Sequence, residues 1–387
     1  MKRILFFNYE YPPLGGGAAN ATAHLLQEYA KRGDVHVELI TSALDEEYEC
    51  LEIAPHVIVH RIPIGKTKDT LHYQTQKELL TYTWRSYRFA LQLTKEKSFD
   101  LTHSFFAIPC GVISLALKWQ RKLPYVVSLR GADVPGYSDR FVHIYKYLTI
   151  LIRRVWKGSS FVVTNSKGLT ELAQKSSPQQ PFEEIFNGID TQHFSQGMRN
   201  ADDRTKEFRI LCASRLSHRK GFHYAIDALP KLIEKYPHVK MIFAGGDGGV
   251  MQKLKGQAQA LSVHKYVSFT GHYVKDEAPD IYRNADLFLM PSLNEGMSNN
   301  LLEALASGMP VLMTPVGGAE ELVHDGDNGY LLELRNGDDI AKKIITFIEN
   351  DEQCVYMGRA SRDIALSLRW EVAAQKYVAL YNKTVLK

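Results

Sequence analysis

The chain alternates between short apolar runs and longer stretches in which apolar residues return every three or four positions. The first kind reads as buried strand and the second as amphipathic helix. Residues 3–8 give an opening strand, 11–17 a glycine-rich loop, 18–31 a helix and 35–41 a second strand. A short strand follows at 57–61, then a long helix at 75–95, a strand end at 99–103 and a helix at 110–118. Strands at 124–129 and 161–165 flank an amphipathic helix at 143–157. The acidic stretch 44–52 and the polar stretch 66–72 read as loops. A polar linker covers 191–206, and then the pattern starts again. Strands are predicted at 208–213, 239–244, 267–269, 286–290 and 311–314, with helices at 222–234, from 298–300 to Gly308, at 340–349, at 353–366 and at 370–381. Strands alternating with helices imply parallel sheets covered on both faces. A pattern that restarts halfway along 387 residues implies two domains of this kind.

The stretch with most chemical content is 291–314, PSLNEGMSNNLLEALASGMPVLMT. It runs from the carboxyl end of one strand through a loop and a helix into the next strand, which is where open α/β sheets bind ligands. The helix start offers unpaired N–H groups suited to a phosphate. Glu295 precedes the helix, and Glu303 follows eight residues later in its first turn. Asn300 and Glu303 also have the N-cap and N3 spacing of a capping box. The opening strand, glycine loop, helix and strand form a nucleotide-type unit, but neither a G-x-G-x-x-G spelling nor a Walker lysine is present.

Charge narrows the classes. The excess of 47 Lys and Arg over 43 Asp and Glu lies in residues 1–190, and the rest is balanced. That is too mild for a nucleic-acid binder. It leaves room for a basic patch on the first half, and helix 143–157 combines Lys146, Arg153, Arg154 and Lys157 with Trp156. Such a mixture reads either as a membrane-surface helix or as a helix packed on its sheet with solvated charges. Four scattered cysteines suggest neither disulfides nor a zinc site. No signal peptide and no transmembrane span are expected. The D-x-D spelling at Asp325 and Asp327 falls in a glycine turn and reads as turn, not as a metal site.

The E-x7-E element of Glu295 and Glu303 resembles that of family 4 glycosyltransferases, the glycogen-synthase-like or group 1 enzymes, which are retaining and have the GT-B fold. The likeness runs from the glycine loop to the final helix. It implies two Rossmann-like domains facing each other across a cleft: an acceptor domain at 1–195, a donor domain at 205–366, and a helix at 367–387 crossing back to the first. Arg215 and Lys220 match the family's R-x4-K pair, which holds the donor diphosphate. Breaking the sugar–phosphate bond builds negative charge on the leaving group, and fixed cations stabilise that charge without a metal. The resemblance further implies that Glu295 binds donor-sugar hydroxyls and that Glu303 binds the ribose. Gly296, Met297, Ser298, Asn300 and Leu301 line the phosphate side, and Gly271 and Tyr273 lie near the base. Two of Gly15, Gly16 and Gly17 approach the diphosphate, with Gly16 and Gly17 as candidates. His103 stands where the family has a histidine facing the donor sugar.

Arg130 replaces the family's usual histidine or threonine before Gly131. With Asp133 it is a candidate acceptor contact. The expected reaction moves a hexose from a nucleoside diphosphate sugar, UDP-sugar favoured, to a hydroxyl of a glycan or lipid-linked acceptor. No metal and no other cofactor are expected. The expected location is the cytoplasm, at the inner face of the membrane where helix 143–157 makes contact. Two other classes fit the same plan: a GT-B-fold UDP-sugar 2-epimerase, which the Arg215, Lys220, Glu295, Glu303 set argues against, and a non-catalytic nucleotide-sugar binding protein.

Overall fold

The computed structural model describes residues 1–66, 74–137, 142–197, 206–295 and 297–385. The chain divides into two compact units, Met1–Gly188 with Trp370–Lys387, and Ile189–Arg369. Each is a sheet with helices on both faces.

In the first unit the strands are β1 (Lys2–Phe7), β2 (Val35–Ser42), β3 (Glu49–Ala54), β4 (Val57–Ile62), β5 (Leu101–Phe105), β6 (Tyr125–Ser128), β7 (Phe161–Thr164) and β8 (Glu183–Glu184). The sheet order is β3-β4-β2-β1-β5-β6-β7-β8. All neighbours are parallel except β3, which pairs antiparallel with β4. Part of the stretch expected to be loop is therefore an edge strand. Its residues are largely exposed, so no apolar alternation marks it. The helices are α1 (Gly17–Ala30), α2 (Gln76–Glu96), α3 (Val112–Arg121), α4 (Val142–Gly158) and α5 (Lys167–Ser176).

Alternate residues of β1 serve opposite faces. Ile4 and Phe6 join a core with α1 and the C-terminal helix, whereas Leu5 and Phe7 pack with α2 and α3. Residues such as Tyr125 and Val127 continue this second face under α4. Strand order reverses at β1, with β2 on one side and β5 on the other.

The second unit carries β9 (Phe208–Ala213), β10 (Val239–Ala244), β11 (Val267–Gly271), β12 (Leu287–Met290), β13 (Val311–Met313) and β14 (Gly329–Leu331). They form a parallel sheet in the order β11-β10-β9-β12-β13-β14. Its helices are α6 (Phe222–Lys235), α7 (Met251–Ala260), α8 (Ala278–Arg283), α9 (Asn299–Ala306), α10 (Ala319–Leu322), α11 (Gly337–Ile348) and α12 (Asp351–Ser367). The chain then returns to the first unit as α13 (Trp370–Val385). Gly188 admits that return, since a Cβ there would sit 2.4 Å from the Trp370 Cα. The order reverses at β9, so the loops after β9 and β12 flank the crevice where such sheets take ligands.

Candidate functional site

The β9 and β12 loops are fastened to each other. A short turn, His218–Lys220, ends at Gly221 with φ of +67°. A Cβ on Gly221 would lie 1.9 Å from the Pro291 carbonyl oxygen, so only glycine permits this approach. Beside it, the Leu293 N–H donates to the Arg219 carbonyl at 2.7 Å. These contacts bring Lys220 to Glu295. The Lys220 Nζ donates to the Glu295 Oε1, which also accepts from the Ser292 hydroxyl at 3.0 Å. Lys220 and Glu295 are 6% and 8% exposed, so the pair is shielded but borders the surface. Arg215, five residues before Lys220, is exposed just beyond β9.

Glu295 leads into α9. The N-cap is Ser298, whose hydroxyl accepts from the Leu301 N–H at 3.3 Å. Asn300 is thus inside the helix, Glu303 falls beyond its first turn, and the capping-box reading of Asn300 with Glu303 does not hold. The Glu303 Oε2 instead accepts from the Tyr282 hydroxyl at 2.7 Å and from the Asn300 side-chain amide at 3.3 Å. Burial, then the charge of Glu303, pushes the Tyr282 hydroxyl far above its ordinary pKa and raises that of Tyr273 as well. Both phenols therefore stay protonated, and the Tyr282 O–H donates to the carboxylate. Tyr282 and Ser292 were not singled out in the sequence. Tyr282 sits on α8, outside any local motif, and only the fold brings it to Glu303. Met297 is nearly buried, and Gly271 ends β11 with φ of +76°. Gly296 lies outside the described residues.

The first unit is arranged differently. Gly15 has φ of +97°, and a Cβ there would meet the Glu10 side chain at 2.7 Å. The Gly16 N–H donates to the Glu10 carboxylate at 3.3 Å, and a Cβ on Gly16 would meet nothing within 4 Å. Gly17 begins α1.

His103 lies in the interior of the first unit. Its ring is fully buried, stacked on Phe6 with 4.5 Å between centroids. The Nε2 shares a 2.8 Å hydrogen bond with the Ser128 hydroxyl, and the Nδ1 shares another of 2.8 Å with the Tyr381 hydroxyl. Burial, aided by the nearby Arg130 charge, holds its pKa well below the ordinary value. The ring is held neutral, with both nitrogens engaged by hydroxyls of the same unit.

The Arg130 guanidinium lies 3.4 Å from the centre of the Phe105 ring. It donates to the Asn187 side-chain oxygen at 2.8 Å and to the Tyr377 hydroxyl at 3.2 Å. Asp133 accepts from the Arg130 N–H at 2.9 Å and from the Ala107 N–H at 2.7 Å, which pins the β5 and β6 loops together. Both side chains serve the chain's own interior. Trp156 of α4 is also inside, edge-on to Phe182 at 5.6 Å, while Arg153, Arg154 and Lys157 are exposed. The Lys146 side chain lies outside the described residues.

Among the described residues no group of His, Cys, Asp or Glu is placed to hold a metal ion. No described helix is long and apolar enough to cross a membrane.

Two family models match: "Glycosyltransferase Family 4" over residues 15–193 and "Glycosyl transferases group 1" over 196–364. A GDP-mannose-dependent alpha-(1-6)-phosphatidylinositol monomannoside mannosyltransferase of Mycobacterium tuberculosis is 29% identical over 241 residues, 58% of this chain and 62% of its own. Among solved structures, sucrose-phosphate synthase from Thermosynechococcus elongatus superposes with a TM-score of 0.81 at 18% identity, covering 99% of both chains. Anabaena HepE in complex with UDP-glucose gives 0.74 at 20% identity, over 99% of this chain and 100% of its own.

Proposed function

Because the chain is a GT-B glycosyltransferase related to the group 1 and family 4 enzymes, moving a sugar from a nucleoside diphosphate sugar to an acceptor, we propose that it transfers a hexose from a UDP-sugar with retained anomeric configuration. The observation that carries the site assignment is the shielded Lys220–Glu295 pair at the point where the strand order of the second unit reverses. Arg215 and Lys220 take the diphosphate, and the α9 N-terminus adds N–H donors. Charge developing on the leaving diphosphate then meets Lys220, already held in place by Glu295, which is where such groups lower a barrier most. Glu295 binds donor-sugar hydroxyls and orients Lys220. Glu303, held by Tyr282 and Asn300, takes the ribose hydroxyls. The base lies beside Gly271 and Tyr273, and Gly16 and Gly17 are candidates for close backbone approach to the donor diphosphate. Arg130 and Asp133 shape the acceptor side by fixing its loops.

UDP is favoured because HepE was solved with UDP-glucose, whereas the mycobacterial relative uses GDP-mannose. Calorimetry with UDP and GDP decides this, and tighter GDP binding overturns the choice. A panel of nucleotide sugars, with the product linkage read by NMR, tests the reaction. A β product from an α donor removes retention. Conversion of the donor without any acceptor identifies an epimerase, and binding without turnover a carrier. The acceptor is proposed to be a glycan intermediate on a lipid carrier, in cell-surface polysaccharide assembly at the inner face of the membrane. The basic excess of residues 1–190 supports this reading.

A further inference from the structure

Trp156 was the aromatic part of the membrane reading, and it is buried. The exposed tryptophans are elsewhere in the same unit. Trp84 on α2 is 61% exposed and Trp119 on α3 is 66% exposed. Helices α2, α3 and α4 lie side by side on one face of the first sheet. Arg121 of α3 donates to the Leu91 carbonyl of α2, and Lys118 of α3 donates to the Gly158 carbonyl of α4. Their inner sides are filled by Tyr82, Ala90, Ile113, Leu117, Ile152 and Val155. The sides turned away from the sheet therefore make one continuous outer surface.

That surface has a uniform chemistry. The three helices contain ten Lys or Arg and two acids, Glu78 and Glu96. Glu78 is buried, spent on capping α2 and pairing with Lys66. Along α2, Leu80, Trp84 and Arg88 follow at four-residue spacing, with Leu80 72% exposed and the Arg88 guanidinium 5.9 Å from the centre of the Trp84 ring. Ile150 adds an exposed apolar side chain on α4, beside Arg153, Arg154 and Lys157.

Indoles and aliphatic side chains set among cations, with almost no acid, match the boundary of an anionic bilayer. The rings enter the headgroup level while lysine and arginine face the phosphates. A protein partner would need acids of its own placed against each cation. A bilayer supplies negative charge at every position. We infer that the outer face of α2, α3 and α4 is a peripheral docking surface for anionic lipid bilayers, seated through Trp84 and Trp119. It deepens the lipid-linked-acceptor reading and rests on it for its purpose. Its geometry stands on the first unit alone.

The test uses the full chain with vesicles of 70% phosphatidylcholine and 30% phosphatidylglycerol, some carrying brominated acyl chains. Of the four tryptophans, Trp156 is buried and Trp370 is stacked on His24 and nearly buried. Brominated lipid is therefore expected to quench Trp84 and Trp119 alone. Wild type is expected to float with these vesicles in 50 mM salt, to be released in 0.5 M salt, and to show quenched emission. Trp84→Ser with Trp119→Ser is expected to lose the quenching and about tenfold in partitioning per indole. Arg88→Glu, Lys122→Glu at the exposed C-cap of α3, Arg154→Glu and Lys157→Glu together are expected to lower partitioning by about three orders of magnitude. UDP affinity, read by calorimetry on each variant, is expected to stay at the wild-type value and so certifies the fold. No wild-type flotation at low salt overturns the proposal, as does flotation unchanged in the tryptophan variant. A wild-type dimer that the tryptophan changes dissolve, without vesicle binding, overturns it in favour of self-association. If vesicles bind as expected but only a soluble acceptor is glycosylated, the docking surface stands and the lipid-linked acceptor fails.

Discussion

Both units carry polar residues on or just beyond central parallel strands, and use them in opposite ways. In the second unit Lys220 and Glu295 meet at the rim, with exposed Arg215 close by in sequence. In the first, His103, Ser128 and Arg130 are drawn into the interior and joined to Tyr377 and Tyr381 of α13. A charged pair at a rim can exchange partners with a ligand. A neutral histidine sealed by two hydroxyls cannot, so its bonds contribute to holding the returning helix. Strand-end position alone therefore does not separate chemistry from architecture. What separates them is whether the partner comes from the neighbouring loop or from a helix packed over the strand end.

The largest effect should come from Lys220. Lys220→Ala is expected to lower turnover by about 10²–10³ or more, as for other fixed donors to a developing anion. It also leaves a shielded carboxylate with no cation. Glu295→Ala leaves the reverse, a shielded ammonium, and is expected to cost about 3–5 kcal/mol of stability. Initial rates and thermal unfolding, taken on the same samples, sharpen the comparison. Should both variants unfold earlier while their folded fraction turns over at the wild-type rate, the pair would be a brace, and the contrast between the units would collapse.

His103 is the converse case. His103→Ala is expected to lose about 2–4 kcal/mol from the cavity and from two hydroxyls left unpaired, with kcat within about threefold of wild type. The pH dependence follows from its lowered pKa. The unfolded chain takes up a proton near pH 6.5, and the folded chain does so only well below that. The unfolded state thus binds more protons between those limits, and stability falls as the pH drops below about 6.5. His103→Gln should flatten that slope. A kcat that collapses in His103→Gln with unfolding unchanged would return the residue to the catalytic set.

These cases show what could be read from the sequence. Both sheets, nearly every central strand and the restart after the linker were legible, because buried parallel strands are apolar runs bounded by glycine loops. Edge strand β3 was not, because its exposed, acid-containing sequence carries no buried face. The spacings that bring Arg215 and Lys220 onto one loop, and put Glu295 before α9 and Glu303 within it, are short-range. Such placements survive whatever the rest of the chain does. The settings of His103 and Arg130 depend on Tyr381 and Tyr377, about 250 to 280 residues away, and no local pattern carries that. Trp156 failed for a related reason. An amphipathic helix shows that it has two faces, but not which one takes the indole.

Tyr282 tests whether long-range placement also matters on the donor side. Tyr282→Phe removes the 2.7 Å hydrogen bond to Glu303 and leaves the ring in place. Loss of one such bond is worth about 1 kcal/mol, or roughly fivefold. It is expected to appear as a higher donor KM with kcat little changed, because ribose contacts act on substrate and transition state alike. A fall in kcat at constant KM would place Glu303 near the reacting bond instead.

The smallest expected change in stability separates two adjacent glycines. Gly15 is needed by the fold, because its φ is positive and its missing Cβ leaves room for the Glu10 side chain. Gly15→Ala should therefore lower stability and activity together. At Gly16 an added Cβ would touch nothing within 4 Å, so no neighbouring element excludes a side chain there. Gly16→Ala is expected to change stability by less than about 1 kcal/mol, the scale of exchanging glycine and alanine at a helix start. If the glycine loop lets backbone approach the donor, Gly16→Ala should weaken donor binding several-fold while unfolding stays as in wild type. Unchanged donor affinity in a stable Gly16→Ala would show that this loop, like His103, belongs to the architecture of the first unit.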